Sequence, residues 1–507
     1  MVSTHDINKP VFIPKRRSEI PRLVRKAFGL LRTQVEEDVL SFLDSPGREG
    51  FLRLEQDLLE AFGAMSSHVA GGVMGFLHQN GAWIEEATAE ERARSTLPLR
   101  HQGWRTTPIR FLGGARLSLE TPYLSESKKG RRGPTRGVGR RGKNGTGRYP
   151  ALEALGVLQR ATPALASEVS RQSVRTASFE EAREALAERG IHVTRETVRK
   201  ITMKVGAEAL RQRDARIDLA ERGEILSKEF ADRRVVISAD GGRMRMREGG
   251  RRGPKGKGGG RRFRTPWREP KLVTAYLVDE KGIKSREDAP LYDGTLEDAD
   301  AAFKILAAEL KLRGAAMAKE IVLVADGARW IWNRADELAR FLGVEPSRIV
   351  KVADFYHAVE HLSEIADMRA GWTSAQRKQW VRRMRRWLKK GKVDDVIEEA
   401  KGFCVGRSAK KIAREVNYFA DRRDFMQYAD FARRGIPLGS GAMESAIRRV
   451  VNLRLKGPSI FWRSSNAERM LHLRSYLKAG RWDELMGRVM HRSPGGEPAT
   501  SALGRAA

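Results

Sequence analysis

Two aspartates stand where an acid is otherwise unfavourable, at the ends of apolar, strand-like runs. Asp240 closes Val235-Val236-Ile237-Ser238-Ala239, and Asp326 closes Ile321-Val322-Leu323-Val324-Ala325. A glycine follows each, Gly241 and Gly327, where backbone can turn sharply and a ligand can approach closely. If the two runs are parallel neighbours in one sheet, their carboxylates lie side by side and repel. A hard divalent cation removes that conflict, because carboxylate oxygens are its natural ligands. Glu444 is the candidate third ligand: Gly439-Ser440-Gly441 turns into a helix and puts Glu444 in its first turn. Carboxylates holding two ions about 3.5–4 Å apart suit phosphodiester chemistry, in which an attacking hydroxyl is activated and a leaving oxygen stabilised. The expected cofactor is therefore Mg2+, or Mn2+ in its place, as a pair of ions. Arg448, one helical turn past Glu444, and Lys456 are candidates to hold phosphate beside it. An Asp-Gly at a strand end is also ordinary turn chemistry, so the weight rests on two matched cases and the glutamate together.

The elements around these residues predict an α/β core. RVVISAD, KLVTAYLVD, IVLVADG and RIVKVADF read as buried strands, and 299–313 as an amphipathic helix between them. Strands alternating with helices imply crossover connections, with the site at the strand ends. The core is expected over 230–354 and again over 436–480. Between them, 355–435 has charged helices and no strand, with Trp372, Trp380 and Trp387 among runs such as VRRMRRWLKKGK. Upstream, residues 1–107 read as mainly helical, with Leu23, Ala27, Leu30, Leu31 and Val35, then Leu52, Leu58, Leu59, Phe62 and Met65, at helical spacing. Residues 108–176 hold short strands and a Gly/Arg-rich stretch, 128–148, without the Gly-Lys-Ser/Thr ending of a nucleotide-binding loop. Residues 177–215 predict a helix-turn-helix. Ser178 and Glu181 form a capping box, Gly190 makes the turn, and a second helix exposes Arg195, Arg199, Lys200 and Lys204 toward a DNA groove. A second basic stretch, 247–264, reads as a hairpin tip, and 481–507 as a flexible tail. Trp330, Trp332 and Trp462 are candidates either for base stacking or for core packing.

Composition narrows the partners. With 96 Lys+Arg against 64 Asp+Glu the formal charge is +32, and the pI is near 10.6. Such a surplus favours a polyanion, nucleic acid first, because each phosphate neutralised releases counterions. The single cysteine, Cys404, excludes a disulfide framework and a cysteine-based zinc module, and suits a reducing cytoplasm. The most apolar window, 61–77, is too short and glycine-broken to span a bilayer, so a soluble, cytoplasmic, nucleoid-associated protein is expected.

The ordered set SADGGR, VADGARWIW, ADFYHAVEHL and GSGAMESAIRRVVNLRLKG…W resembles bacterial insertion-sequence transposases of the DDE, RNase H-like kind, nearest the Kra-type family and Mutator-like elements. The resemblance covers roughly residues 234 to 480. It implies an RNase H-like core interrupted by an all-helical insertion, with Asp240, Asp326 and Glu444 as catalytic metal ligands. It adds Asp354 and His357, similar to the Cys/Asp-x-x-His signature of such enzymes, either as groups working at the site or as fasteners of the insertion. The implied reaction is hydrolysis at transposon ends, then attack of the freed 3′-hydroxyl on target DNA. The expected partners are terminal inverted repeats and target DNA, with the chain a homodimer or larger assembly on them. A Cys-rich region found in many relatives has no counterpart here, so Arg195 and Arg199 are the expected readers of the ends. The rivals are a DNA-binding regulator or inactive remnant that does not cut, and a plain metal-dependent nuclease.

Overall fold

The computed structural model describes residues 11–95, 98–126, 147–249 and 263–491. These divide into two units: one comprises the described residues up to Glu208 and those from Met486, the other Ala209–Leu485. The Gly/Arg stretch 128–148 lies almost wholly outside the described residues, as do the tip of 247–264 and everything beyond 491.

In the first unit, helices Ile20–Asp44, Arg48–His78 and Gly81–Arg94 precede an antiparallel hairpin of β1 (Leu99–Arg110) and β2 (Arg116–Glu126), with β3 (Gly147–Arg148) beside β2. The helical region thus ends at Arg94, not at 107. Residues 100–106 of β1 are exposed apart from half-buried Gly103, so that stretch carries no alternation from which a strand could be read. Of the apolar stripe in the first helix, Leu23, Ala27 and Leu31 are buried. Leu52, Leu59 and Phe62 in the second face outward instead. Helices Pro163–Arg175 and Phe179–Ala187 follow, then Arg195–Glu221. Ser178 accepts the Glu181 amide at 3.0 Å, but Glu181 returns to the amide of Ala177 rather than that of Ser178. The last helix runs past the end of the expected region at 215. Val198, Ile201, Met203, Val205 and Ala209 are all buried along it, so packing carries it on to Glu221.

The second unit is built on a five-stranded mixed sheet. Its strands are β4 (Arg234–Gly241), β7 (Lys271–Val278), β8 (Leu291–Thr295), β9 (Glu320–Ala325) and β10 (Ile349–Ala353), in the order β10-β9-β4-β7-β8. Two short strands, β5 (Met244–Arg245) and β6 (Trp267–Arg268), form the stem of a hairpin between β4 and β7. β4, β7 and β8 run antiparallel in sequence, while β9 and β10 add parallel on the other side of β4. Alternate residues face opposite sides. Val236, Val322, Val324 and Val352 pack toward helices of the 355–435 segment, whereas Val235, Ile237, Leu323 and Ala325 pack toward helix Ala299–Leu312 and its neighbours. With both faces covered, the strands are near-continuous apolar runs, and four of the five were readable for that reason. β8 was missed because Leu-Tyr-Asp-Gly-Thr reads as a turn, yet every residue of it is buried, with helix Ser464–Ala479 packed on it.

Residues 355–435 form helices Phe355–Asp367, Ser374–Lys389, Val393–Lys401, Ala409–Ala420 and Tyr428–Arg433, with Trp372, Trp380 and Phe403 clustered among them. Residues expected in a flexible tail include one more helix, Trp482–Met490. Trp330 and Trp332 pack against the core, Trp332 stacked on Phe425 at 4.9 Å, and Trp462 is 7% exposed, so all three are packing residues. Among the described residues no helix is long and apolar enough to cross a membrane.

A buried charge network staples the second unit. Glu309, 8% exposed, takes both Arg216 (2.7 and 2.9 Å) and Arg313 (3.1 Å). Glu309→Ala takes from buried Arg216 its carboxylate and from Arg313 one of three, the others being Glu229 and Glu484, and is expected to cost about 3–5 kcal/mol, measurable by urea denaturation of the full chain.

Candidate active site

The β4–β9 pairing fixes where the two aspartates stand. Arg234 pairs with Glu320 and the ladder runs to Ile237 opposite Leu323. Beyond it Asp240 stands at the end of β4 and Asp326 follows β9 directly, near enough for the Asp326 charge to act on Asp240. Asp240 Oδ1 accepts the Gly241 amide at 2.6 Å, and Asp326 Oδ1 accepts the Ala328 amide at 3.0 Å. Both are half-buried.

Glu444 is exposed in the first turn of helix Gly441–Ile447, which packs against β4 and β7 and continues into a wider, π-helical turn, Arg448–Asn452. Its charge reaches Asp240. The Asp240 carboxyl is pushed up to about 6, first by burial and then, against the Gly241 hydrogen bond, by the negative charges of Asp326, Glu269 and Glu444. Four carboxylates are thus gathered at this end of the sheet. Glu269 was not foreseen. It precedes β7 by two residues, lies against Gly241, and bonds Lys271 Nζ at 2.7 Å. Only the return of the antiparallel strand brings it there, and the sequence holds no local signal of that.

Asp240, Asp326 and Glu444 are gathered less tightly than one other set. Among the described residues the ligand atoms that all fall within 4.8 Å belong to His361, Glu364 and Glu415 in the helical segment. There His361 Nδ1 bonds Glu415 at 2.5 Å and the His361 ring stacks on Tyr418 at 3.7 Å, an ordinary fastening between two helices.

The helical segment is tied directly to the strand ends. Gly327 has φ +103°, and a Cβ there would strike Arg422 and Tyr418. Through that gap the Tyr418 hydroxyl donates to the Asp326 carbonyl at 3.2 Å, and Arg422 Nε to the Gly327 carbonyl at 3.2 Å. Asp354 makes the second tie. It is 2% exposed, caps helix Phe355–Asp367 by accepting the Tyr356 and His357 amides (2.7 and 3.2 Å), and accepts the Ser440 amide at 2.8 Å and its hydroxyl. Ser440 belongs to the turn that starts the Glu444 helix. Gly439 beside it has no room for a Cβ because the Tyr356 ring lies against it.

Of the two readings of Asp354 and His357, groups working at the site or fasteners of the insertion, the contacts of Asp354 accord with the second. Asp354 is turned inward with its oxygens occupied, and it meets His357 only through the backbone amide. His357 Nδ1 bonds Glu360 at 3.0 Å and its ring lies 4.8 Å from that of His361. Among the basic candidates, Arg448 and Lys456 are exposed near the Glu444 helix, and Arg195 is exposed at the start of its own helix. Arg199 is held by Glu196 at 2.7 and 2.9 Å, so its guanidinium must leave an ion pair before it can meet a base.

No family model, curated protein or solved structure matches the chain.

Proposed function

We propose that the chain is a DNA transposase of the DDE, RNase H-like kind, cutting at the ends of a mobile element and joining the freed 3′-hydroxyl to target DNA. The observation that carries the proposal is that Asp240, at the end of β4, and Asp326, just past the end of the parallel neighbour β9, lie together with Glu444 close enough for both to raise Asp240. An all-helical segment between the second aspartate and the glutamate also accords with it. The donor set fits a hard divalent cation: every member is a carboxylate, and Lys271 compensates only Glu269. Asp240, Asp326 and Glu444 would hold the metal, with Glu269 beside them. When bound, Mg2+ activates the attacking oxygen and stabilises the leaving one.

The remaining residues position these groups. Tyr418 and Arg422 clamp the Asp326-Gly327 turn, and Asp354 holds the turn leading to Glu444. Exposed Arg448 and Lys456 are placed to take DNA phosphate, whose contribution falls with salt.

The full chain, incubated with labelled duplexes carrying the DNA that flanks its gene and with a supercoiled target plasmid, tests the reading. Cleavage and covalent joining are expected with Mg2+ or Mn2+ and not with EDTA. Cleavage without joined product would make it a nuclease. Binding without cleavage would make it a DNA-binding regulator.

A further inference from the structure

At the closed end of the β1–β2 hairpin, Arg110 and Arg116 stand directly opposite one another. Like charges so placed repel. Arg160 comes against the same strand end: the Arg110 amide donates to the Arg160 carbonyl at 2.9 Å, and the Thr162 amide to the Arg110 carbonyl at 3.0 Å. Gln159 and Arg160 sit at φ +53° and +65°, left-handed positions that glycine or asparagine usually fills. Among the described residues no carboxylate pairs with these three guanidiniums. Burial, then Arg116 and Arg160, pushes Arg110 below the usual guanidinium range.

Arg110 and Arg116 line a cleft of about 310 Å³, together with Arg183, His192, Thr194 and Thr197 and no acidic residue. Arg183 is already engaged by Glu180 at 2.6 Å and by Glu184 at 3.3 Å, so the uncompensated charge is that of Arg110 and Arg116. Thr194 Oγ1 accepts the Thr197 amide at 3.2 Å and lies 2.9 Å from the Thr197 hydroxyl, at the start of helix Arg195–Glu221. Arg116, His192 and Thr194 are exposed, so a long polyanion can reach the cleft from outside.

We propose that this cleft holds one phosphate of a DNA backbone, gripped by Arg110 and Arg116, and so seats the first turn of helix Arg195–Glu221 on the duplex. The assignment rests on the DNA reading above. Two guanidiniums with no acid between them suit a phosphate's several oxygens. Exposed Arg195 at the start of the helix and Lys200 about one and a half turns along carry the positive surface onward, as an extended backbone requires and a free phosphate does not.

The test is duplex binding by the full chain and by an Arg110→Ala/Arg116→Ala variant over a range of salt. The variant is expected to bind element-end and random duplexes about tenfold more weakly at low salt. Its log affinity should fall less steeply with log salt, by roughly 1 in slope for one phosphate. Methylphosphonate replacement along the duplex should reveal one position that weakens the wild type about tenfold and leaves the variant unaffected. Removing two repelling cations should leave the variant's Tm unchanged or raised, which separates a lost grip from a lost fold. Wild-type affinity and slope in the variant would overturn the proposal while leaving the DNA reading intact. Failure of the wild type to bind any duplex would overturn both. Displacement of duplex by inorganic phosphate beyond that by chloride at equal ionic strength, lost in the variant, would make free phosphate the occupant and overturn the backbone assignment.

Discussion

Asp240→Asn is expected to abolish strand cleavage and, at neutral pH without metal, to make the protein more stable. The loss of activity should be about 10³-fold, as befits a group that stabilises charge in the transition state. The stability gain follows from the raised Asp240 pKa, which reaches about 6 against an ordinary 3.8. A carboxyl whose pKa is raised on folding binds protons more readily in the native state. Native stability therefore falls as pH rises from about 4 through 6, and the full penalty persists above that window. Asn carries no charge to confine and escapes it. Allowing for partial exposure, the gain should be about 1–2 kcal/mol at pH 7.5 and close to nothing at pH 4. Mg2+ should raise the Tm of the wild type and leave the variant unmoved. Asp326→Asn and Glu444→Gln are expected to lose cleavage to a similar degree, with duplex affinity within a few-fold of wild type. A variant of any of the three that cuts at the wild-type rate removes that residue from the chemistry. An Asp240→Asn protein less stable than the wild type at pH 7.5 would show that the carboxylates are not in conflict.

Asp354→Ala should lower cleavage by more than about a hundredfold and destabilise the second unit as well. Its truncation leaves two helix amides uncapped and two Ser440 donors without their acceptor, a cost of about 2–4 kcal/mol. Ser440→Ala separates the two consequences. It keeps the cap and removes only the hydroxyl link to the Glu444 turn, so Tm should fall little, by about 1 kcal/mol of stability. Cleavage should drop about tenfold as Glu444 loses its fixed position. His357→Ala is expected to stay within a few-fold of wild type in both measures, because its ring is half-exposed and bonds Glu360 on its own helix. Strong loss of cleavage in His357→Ala at unchanged Tm, with a step erased from the pH–rate profile, would instead place the imidazole at the chemistry. Asp354 would then be its orienter and not a fastener.

What could be read from the sequence was whatever local chemistry encodes by itself. A strand buried on both faces must be an apolar run, so β4, β7, β9 and β10 were visible, and an acid at the end of such a run stands out against it. Gly439-Ser440-Gly441 marked a helix start, and Ser178 capped its helix as its type and spacing predict. The surplus of positive charge needed no fold at all. The tertiary structure alone decided the rest, because the deciding contacts join residues far apart in the chain. β8 is a strand only because helix Ser464–Ala479 buries it, overriding a turn-like composition. Helix Arg195–Glu221 runs past its expected end because buried partners line it. Asp354 and His357 look equivalent as a motif three residues apart. Burial against Ser440, 86 residues away, makes one a structural anchor and leaves the other at the surface. Glu269 and the cleft beside Arg110 were silent for the same reason: each exists only once strand pairing has brought like charges together, at a free-energy cost that no stretch of sequence displays.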